Sequence, residues 1–249
     1  MSRSAFRVIN LREAREQRGL LAPRDEGPQH DSLLEVVFDR TVAAIAMIAL
    51  LPLYAVTALL VRLSSPGPVI YRQVRIGMNR RHLPAANRPN EFYDVYDRRT
   101  LDLPGRPFII YKFRTMVDGA EDHAGPMWAK KNDSRITALG RVLRKLRIDE
   151  TPQFYNVIKG DMSLVGPRPE RPTFVRDLVE QIPDYALRLR VKPGITGLAQ
   201  VDHKYDTSVD DVRTKLDHDL RYLETRGFAT KAMILVKTVW VVLTGKGAQ

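Results

Sequence analysis

An uncharged stretch, TVAAIAMIALLPLYAVTALLV at residues 41–61, constrains the fold of this chain more than any other feature. At a rise of about 1.5 Å per residue, a helix of about twenty apolar residues matches the thickness of the hydrocarbon core of a bilayer. Pro52 lies near the middle of the stretch. Because proline has no N–H and its ring crowds the carbonyl of Ile48, we predict a membrane helix that kinks or breaks there.

The charges beside this stretch bear on its topology. Asp39 and Arg40 precede it and Arg62 follows it, so the positive-inside bias favours neither flank. A broken helix at membrane depth needs partners for its freed backbone groups, such as a neighbouring helix or protein packed beneath a hairpin. On these residues alone, a re-entrant hairpin and a kinked single-pass anchor are about equally favoured.

The bulk composition limits the class of partner. Forty basic against 29 acidic residues give a net charge of +11, which favours nucleic acid, phospholipid headgroups or phosphorylated small molecules. With no cysteine, the chain has no disulfide, thiolate metal site or cysteine nucleophile, which is compatible with a cytoplasmic face. About forty polar residues precede the apolar stretch, so we expect it not to be a cleaved signal peptide.

The rest of the chain divides by composition. We predict a polar lead at 1–36, the membrane helix at 37–63 and a catalytic domain at 64–249, interrupted by a polar surface insertion at 78–107. A strand is predicted after the turn SSPGPV, at IYRQVRIG, and another at 108–116. In this second strand the two-residue period places Lys112 and Arg114 on the same side.

Two helices are predicted from their apolar patterns. The amphipathic segment 136–148 carries Arg144 and Arg147, three residues apart, on one face. The final helix, at about 229–243, is apolar on most sides and includes Trp240. A helix in the bilayer interface and an ordinary core helix are both compatible with that pattern.

An acid pair, Asp149 and Glu150, lies in strongly basic surroundings. Adjacent side chains on a helix point about a hundred degrees apart, so the two acids should have different roles. Pro152 is tolerated in the first turn of a helix, and we therefore predict that a helix begins at about 149–151. There, Arg144 and Arg147 would lower both carboxyl pKa values and keep the acids ionised. An N-capping acid beside surface ion pairs is the simpler alternative.

Further cations surround this pair in the sequence. GPRPE holds Arg168 between two prolines, which favours a preset guanidinium for a phosphate. VKPGITG places Lys192 before glycines at 194 and 197 that permit close backbone approach. Nucleotide-binding glycine motifs and an H-E-x-x-H zinc motif are absent from the sequence. Carboxylates with preset cations are typical of phosphoryl transfer with Mg²⁺, and the apolar stretch suggests a lipid substrate.

Three stretches in this order, YKFRTM, NDSRITALGRVLRKLRIDETPQFYNVIKGDMSLVGPRPERPTFV and VKPGITGLAQV, resemble the bacterial sugar transferase family, the monotopic phosphoglycosyl transferases. The resemblance covers about 38–244 apart from the insertion. It implies a mostly helical α+β fold with one proline-broken re-entrant helix, interfacial amphipathic helices and a small β element. It also implies a protein on the cytoplasmic face of the bacterial inner membrane.

By this resemblance, the enzyme moves a hexose 1-phosphate from a UDP-sugar to a polyprenyl phosphate and releases UMP, with Mg²⁺ as cofactor. Asp149 is implied as the nucleophile that forms an aspartyl phosphosugar, and Glu150 as a Mg²⁺ ligand. The phosphate-contacting positions match Lys112, Arg144 and Arg168. Lys192 stands where the family commonly has arginine, and Leu51 stands before Pro52 where serine is frequent.

Other readings remain beside this one. GPMWAKKNDSRIT and ERPTFV resemble members that prime exopolysaccharide synthesis with glucose or galactose 1-phosphate. A non-enzymatic anchor that binds nucleic acid or anionic lipid would also suit the net charge, but we find no interleaved aromatics or helix-turn-helix and expect no nucleic-acid partner. A polytopic transferase would need many apolar segments. The sequence does not fix the oligomeric state, and a homo-oligomer is compatible with it.

Overall fold

A computed structural model of the chain describes residues 28–79, 104–120, 133–182, 184–202 and 209–244. The α-helices are α1 (Leu33–Ala49), α2 (Leu51–Ser64), α3 (Ala138–Lys145), α4 (Phe154–Lys159), α5 (Pro172–Gln181), α6 (Leu198–Asp202), α7 (Val209–Thr225) and α8 (Phe228–Thr244). The strands are β1 (Ile70–Ile76), β2 (Pro107–Phe113), β3 (Ser163–Val165) and β4 (Gly194–Thr196). Two 3₁₀ helices, Ile148–Gln153 and Tyr185–Arg190, complete the described elements. The mostly helical α+β class is confirmed.

The apolar stretch forms two helices rather than one. α1 ends at Ala49, Pro52 occupies the first turn of α2, and the two axes differ by 61°. The predicted break is confirmed, because proline is tolerated in a first turn but not in a helix interior. Among the described residues no single helix has the length and apolarity of a membrane span, whereas this bent pair together does.

The first helix begins inside the region predicted as a polar lead. Ser32 caps α1: its hydroxyl accepts a hydrogen bond from the Glu35 N–H at 3.3 Å, and the Glu35 carboxylate accepts one from the Ser32 N–H at 2.9 Å. This reciprocal pair satisfies two backbone donors at the helix start. Residues 33–36 are therefore helical, and the predicted boundary at 36 is too late. Residues 1–27 of the lead lie outside the described residues.

Asp39 also departs from its predicted place. The sequence placed it with Arg40 on a charged outer flank of the membrane helix. In the structure Asp39 is only 4% exposed. Its carboxylate accepts hydrogen bonds from Ser163 Oγ at 2.6 Å and from Lys231 Nζ at 3.0 Å. A buried charge requires such partners, and here they join α1, β3 and α8.

The β structure consists of two small sheets among the described residues. β1 and β2 are antiparallel, with Tyr71 opposite Lys112, and β3 and β4 are parallel. The free edge of β2 is covered by Asn156, whose amide donates to Ile109 O at 2.6 Å and accepts from Tyr111 N at 3.3 Å. This fully buried side chain replaces a neighbouring strand and fixes β2 against α4.

The large apolar core joins helices and strands from along the whole described chain. It includes Ile76, Val157, Val165, Val175, Tyr185, Leu220 and Ile234. A second cluster of Val61, Phe113 and Leu143 connects α2, β2 and α3. Apolar side chains of α1 and α2 nevertheless remain outside, with Ile48 68% and Leu63 74% exposed.

The last helix has a buried side, as predicted for a core helix, and its predicted place in the bilayer interface stays a prediction. Ile234 is fully buried, whereas Val236 is 71% and Trp240 is 63% exposed. One side of α8 thus belongs to the core and the other presents apolar groups outward.

The ends of the predicted insertion are packed rather than loose. The Gly77 N–H donates to Arg106 O at 2.8 Å, and the Asn79 N–H donates to Leu189 O at 2.7 Å. Met78 is 4% exposed. The predicted limits, 78 and 107, are therefore too wide at both ends, because β2 already begins at Pro107. Residues 80–103, the greater part of the insertion, lie outside the described residues.

We predict that Gly140→Ala lowers the free energy of unfolding by roughly 1–3 kcal/mol, in spite of the better helix propensity of alanine. A Cβ at Gly140 would lie 2.0 Å from the Thr115 carbonyl oxygen. That carbonyl also accepts the Thr137 N–H at 3.0 Å, so it cannot move away freely. Gly227→Ala is the control, since nothing lies within 4 Å of its added Cβ. Equal urea denaturation midpoints for the two variants would contradict the prediction.

Candidate active site

The acid pair lies in the 3₁₀ helix Ile148–Gln153, which we call the dyad helix. In an α-helix that began at Ile148, the N–H of residue 152 would bond to the Ile148 carbonyl. Pro152 has no N–H, and the Thr151 hydroxyl donates to that carbonyl instead, at 2.7 Å. A helix therefore starts where predicted, but its first six residues form 3₁₀ turns before α4 follows at Phe154.

Glu150 is enclosed by two cations. Its Oε1 accepts hydrogen bonds from Lys112 Nζ at 2.8 Å and from Arg168 Nη2 at 2.5 Å, and its Oε2 accepts one from Arg168 Nη1 at 3.2 Å. Burial opposes ionisation, but the ion pairs with Arg168 and Lys112 hold the Glu150 pKa well below its ordinary value. Glu150 is therefore a carboxylate at neutral pH.

The surroundings of Asp149 differ from those of Glu150. Asp149 is 7% exposed, and within the described part of the chain its carboxylate makes no hydrogen bond or ion pair. Burial, and then repulsion by Glu150, raise the Asp149 pKa to about 6. Lys112, Arg144 and Arg168 act in the opposite direction without outweighing burial. The prediction of a lowered pKa is right for Glu150 and wrong for Asp149, because the sequence does not reveal desolvation.

Three of the predicted cations converge on the acid pair. Lys112 projects from β2, and Arg168 from the turn between β3 and α5. Arg144, in the last turn of α3, donates through Nε to the Thr115 hydroxyl at 2.9 Å and lowers the Asp149 pKa electrostatically. Burial lowers the pKa of Lys112, and the nearby Glu150 opposes that shift.

Of the other three predicted cations, Arg114 and Lys192 have other partners and Arg147 lies beyond the end of α3. Arg114 is 5% exposed, and its guanidinium donates to the carbonyls of Pro66 and Ser65 after α2, so it does not share partners with Lys112. Arg147 follows the end of α3 in a left-handed conformation, φ 59°, and thus leaves the helical face of Arg144. Lys192 pairs with Asp31 at 3.1 Å.

The acid pair fits a divalent cation only in part. Among the described residues there is no group of three or more acids, histidines or cysteines that could hold a metal by itself. A carboxylate has about four acceptor positions, and Lys112 and Arg168 occupy three of those on Glu150. One remains on Oε2. Mg²⁺ is commonly held by one or two carboxylates plus substrate phosphates, so the residues present suit a site that the substrate completes.

Sequence reasoning missed the groups that hold the Arg168 turn. Arg75 donates to the Pro169 carbonyl at 3.1 Å, and Arg188 donates to the Arg168 carbonyl at 2.8 Å. These arginines come from β1 and from the second 3₁₀ helix, and no local motif connects them to the turn. The close packing predicted at the glycines is present, since a Cβ on Gly194 would lie 2.0 Å from Gly166 N.

The site adjoins the bent helix pair. The Tyr54 ring of α2 packs edge-on against Phe113 at 5.5 Å between centroids, directly after Lys112 on β2. Fold and site together define a class of protein in which a bent apolar helix pair borders a buried acid pair with three cations around it. A sequence profile of the bacterial sugar transferases matches residues 30–87 and 92–245. This chain belongs to that family, as its motifs predicted.

Individual relatives support the assignment. The chain is 43% identical over 211 residues to an Aeromonas hydrophila UDP-N-acetylgalactosamine-undecaprenyl-phosphate N-acetylgalactosaminephosphotransferase, covering 85% of this chain and 44% of the relative. It is 35% identical over 234 residues to a Caulobacter vibrioides UDP-glucose:undecaprenyl-phosphate glucose-1-phosphate transferase, covering 92% and 78%. An Escherichia coli enzyme with the latter name is 34% identical over 219 residues, covering 87% and 41%. The chain thus covers less than half of the length of the Aeromonas hydrophila and Escherichia coli relatives.

Proposed function

We propose that this protein transfers a sugar 1-phosphate from a UDP-sugar to a polyprenyl phosphate, with release of UMP. The relatives carry names for this activity with undecaprenyl phosphate as acceptor. Three cations around two acids suit a reaction in which charge stabilisation and positioning supply most of the catalysis. The product would be a lipid-linked sugar diphosphate, the first membrane-bound intermediate of a polysaccharide or glycoconjugate.

The proposed mechanism rests on the different pKa values and hydrogen-bonded partners of Asp149 and Glu150. Glu150 is held by three hydrogen bonds and is a weak base, so it is a poor nucleophile. Asp149 has a raised pKa and no hydrogen-bonded partner among the described residues, so its ionised form is the more basic and the more available of the two. At pH 7.5 a carboxyl with a pKa of about 6 is mostly ionised.

In the first half-reaction, an Asp149 carboxylate oxygen attacks the sugar-bearing phosphorus of the donor. The new O–P bond forms while the P–O bond to UMP breaks, and UMP leaves with the electron pair. In the second, a phosphate oxygen of the polyprenyl phosphate attacks the same phosphorus and releases the Asp149 carboxylate. Lys112, Arg144 and Arg168 neutralise the charge on the transferring group in both steps. The two half-reactions share one site and give ping-pong kinetics.

We also propose that the site takes up Mg²⁺ as its cofactor. The open acceptor position of Glu150 and the donor's diphosphate oxygens would hold it. When bound, Mg²⁺ neutralises negative charge on the diphosphate. Lys112 and Arg168 keep Glu150 ionised and orient its carboxylate for that contact.

The direct test is UMP release by the purified protein with undecaprenyl phosphate and a panel of UDP-glucose, UDP-galactose and UDP-N-acetylgalactosamine. We expect UMP from at least one donor, a fall of about 100-fold or more in EDTA, and recovery with excess Mg²⁺. The sequence features that resemble exopolysaccharide-priming members favour glucose or galactose. No UMP from any donor of the panel would contradict the proposed function, and full activity in EDTA would remove Mg²⁺ from it.

We also propose that α1 and α2 form a re-entrant hairpin that enters the bilayer from the cytoplasmic face and returns. The 61° bend and the outward apolar side chains, among them Ile45, Ile48 and Leu59, support this topology. Since the chain has no cysteine, single cysteines placed before residue 33 and after residue 247 provide unique labels. Neither cysteine should react with a membrane-impermeant maleimide in intact spheroplasts. Both should react once the inner membrane is permeabilised. Reaction of just one label in intact spheroplasts would indicate a spanning anchor.

A further inference from the structure

The turn Pro167–Arg168–Pro169 connects β3 to α5 and presents Arg168 to Glu150. The Arg168 side chain is 34% exposed, so it reaches the acid from the more open side of the site. The Lys112 side chain, by comparison, is 17% exposed. Holding a long, partly exposed side chain such as that of Arg168 in one geometry costs rotamer entropy. The backbone beneath Arg168 therefore has to be fixed for its two hydrogen bonds to Glu150 to keep their positions.

Hydrogen bonds to carbonyls hold this backbone. Gly194 N donates to the Pro167 carbonyl at 3.0 Å, Arg188 Nη2 to the Arg168 carbonyl at 2.8 Å, and Arg75 Nη1 to the Pro169 carbonyl at 3.1 Å. The three bonds thus hold a carbonyl of each residue of the turn.

Of the two arginines, Arg188 is the more deeply buried. Its Nε donates to Asp219 Oδ2 at 2.8 Å, and its Nη1 donates to the Tyr185 hydroxyl at 2.8 Å. The Arg188 and Asp219 side chains are each 3% exposed. One guanidinium thus serves three partners: Nε and Nη2 contact Asp219, Nη1 contacts Tyr185, and Nη2 also contacts the Arg168 carbonyl. Only this last partner belongs to the active-site turn. Lysine could not reproduce this planar fork.

A buried ion pair of this kind is weak evidence for stability. Replacing such a pair by apolar side chains of similar volume is often neutral or stabilising, because both charges no longer have to be desolvated. Stability alone therefore does not account for an arginine at position 188. The contact that an apolar side chain would lose is the hydrogen bond to the Arg168 carbonyl.

We propose that Arg188 is a positioning residue that fixes the backbone of Arg168, and through it the orientation of the Arg168 guanidinium on Glu150. This inference rests on the proposed function of the site, since it assigns Arg188 a part in the transfer of the phosphosugar. Arg188 does not touch the acid pair itself in the described contacts. Its influence on the reaction passes through Arg168.

A double-mutant cycle tests this path. The first change is a triple substitution, Arg188→Met, Asp219→Leu and Tyr185→Phe, which replaces the buried polar trio by apolar groups. The second is Arg168→Met, which removes the guanidinium that Arg188 is proposed to position. UMP release would be measured for wild type, each change alone and both together, with the best donor of the panel. Arg188→Lys, which keeps the charge beside Asp219, is the second variant if the triple substitution does not fold.

We expect the triple variant to melt within about 5 °C of wild type and to lose kcat/KM by about 100-fold, the scale of a misplacement of about 1 Å. In the Arg168→Met background the same triple substitution should change kcat/KM by less than about 3-fold. Arg188→Lys should give a smaller loss that also disappears in that background.

The possible outcomes separate this inference from the proposed function. If wild type releases no UMP, the proposed function fails, whatever the cycle would give. If wild type is active and the losses of the two changes multiply, Arg188 acts on activity independently of Arg168 and the inference is wrong. Unchanged kcat/KM in a folded triple variant would also overturn it. If only Arg188→Lys folds, a loss that persists in the Arg168→Met background contradicts the inference equally.

Discussion

Replacing Asp149 with asparagine is expected to reduce UMP release by about 1,000-fold or more, even without lipid acceptor. Asparagine retains the size of the side chain but provides no carboxylate oxygen to attack phosphorus. Donor labelled in the sugar should leave label on wild-type polypeptide when the acceptor is omitted, and none on the variant. Asp177→Asn is the matched control, since the Asp177 side chain on α5 is 52% exposed and pairs with Arg176 rather than with a residue of the site.

The same variant should be more stable than wild type at neutral pH. The Asp149 pKa is raised in the folded protein to about 6, from an ordinary value of 3.8. A raised carboxyl pKa means that folding favours the protonated form, so stability falls as the pH rises from about 4 to about 6 and stays lower above that range. Asparagine is never ionised. At pH 7.5 the gain should therefore be up to about 3 kcal/mol, since one pKa unit corresponds to about 1.4 kcal/mol, and it should vanish below about pH 4.

Activity and stability thus move in opposite directions, which distinguishes a lost nucleophile from a damaged fold. Urea denaturation in detergent at pH 7.5 and pH 4 measures the stability. If the asparagine variant releases UMP at the wild-type rate without acceptor, Asp149 is not the nucleophile. If it is instead less stable than wild type at pH 7.5, the raised pKa is wrong.

Lys231→Met is expected to lower the free energy of unfolding by about 3–5 kcal/mol. Lys231 is 1% exposed, and its ammonium donates to both Asp39 carboxylate oxygens, at 3.1 and 3.0 Å. Methionine fills a similar volume but leaves Asp39 as a buried charge whose remaining partners among the described residues are Ser163 Oγ and the Leu164 N–H. Removing one partner of a buried ion pair leaves the desolvation cost of the other uncompensated.

Lys237→Met on the same helix is the matched control. Lys237 pairs with Asp202 at 2.9 Å, but their side chains are 44% and 33% exposed. An exposed pair contributes little, so this variant should stay within about 1 kcal/mol of wild type. Adding Asp39→Asn to Lys231→Met should recover part of the loss, because the buried charge is then gone. Equal denaturation midpoints for Lys231→Met and Lys237→Met would refute the buried-charge explanation.

The sequence predicted the features that depend on neighbouring residues. Pro52 breaks the apolar helix, and Pro152 fixes the start of the helix that holds the acid pair. The prediction that Arg144 and Arg147 lie on one helical face was wrong, because Arg147 lies after the end of α3. The end of that helix is set by the following left-handed residue, which periodicity alone does not indicate.

Partners at long range were the main source of error. Arg114 was predicted on the same side of the strand as Lys112, yet it follows the end of β2 and binds the carbonyls after α2, while Lys112 binds Glu150. Lys192 carries the charge expected of a phosphate ligand but pairs with Asp31 instead. In each case the residue type was suited to the role, and the packing of distant segments decided which anion it met.

By itself the sequence determined the family, the broken apolar helix and the acid pair with its turn-held arginine, because each is encoded in contiguous residues with fixed backbone chemistry. Only the tertiary structure decided which acid is neutralised and which is left available, since Lys112 and Glu150 are 38 positions apart and Asp39 and Lys231 are 192 apart. Burial is a property of the assembled fold, and it is burial that raises the Asp149 pKa and thereby separates the roles of two adjacent carboxylates.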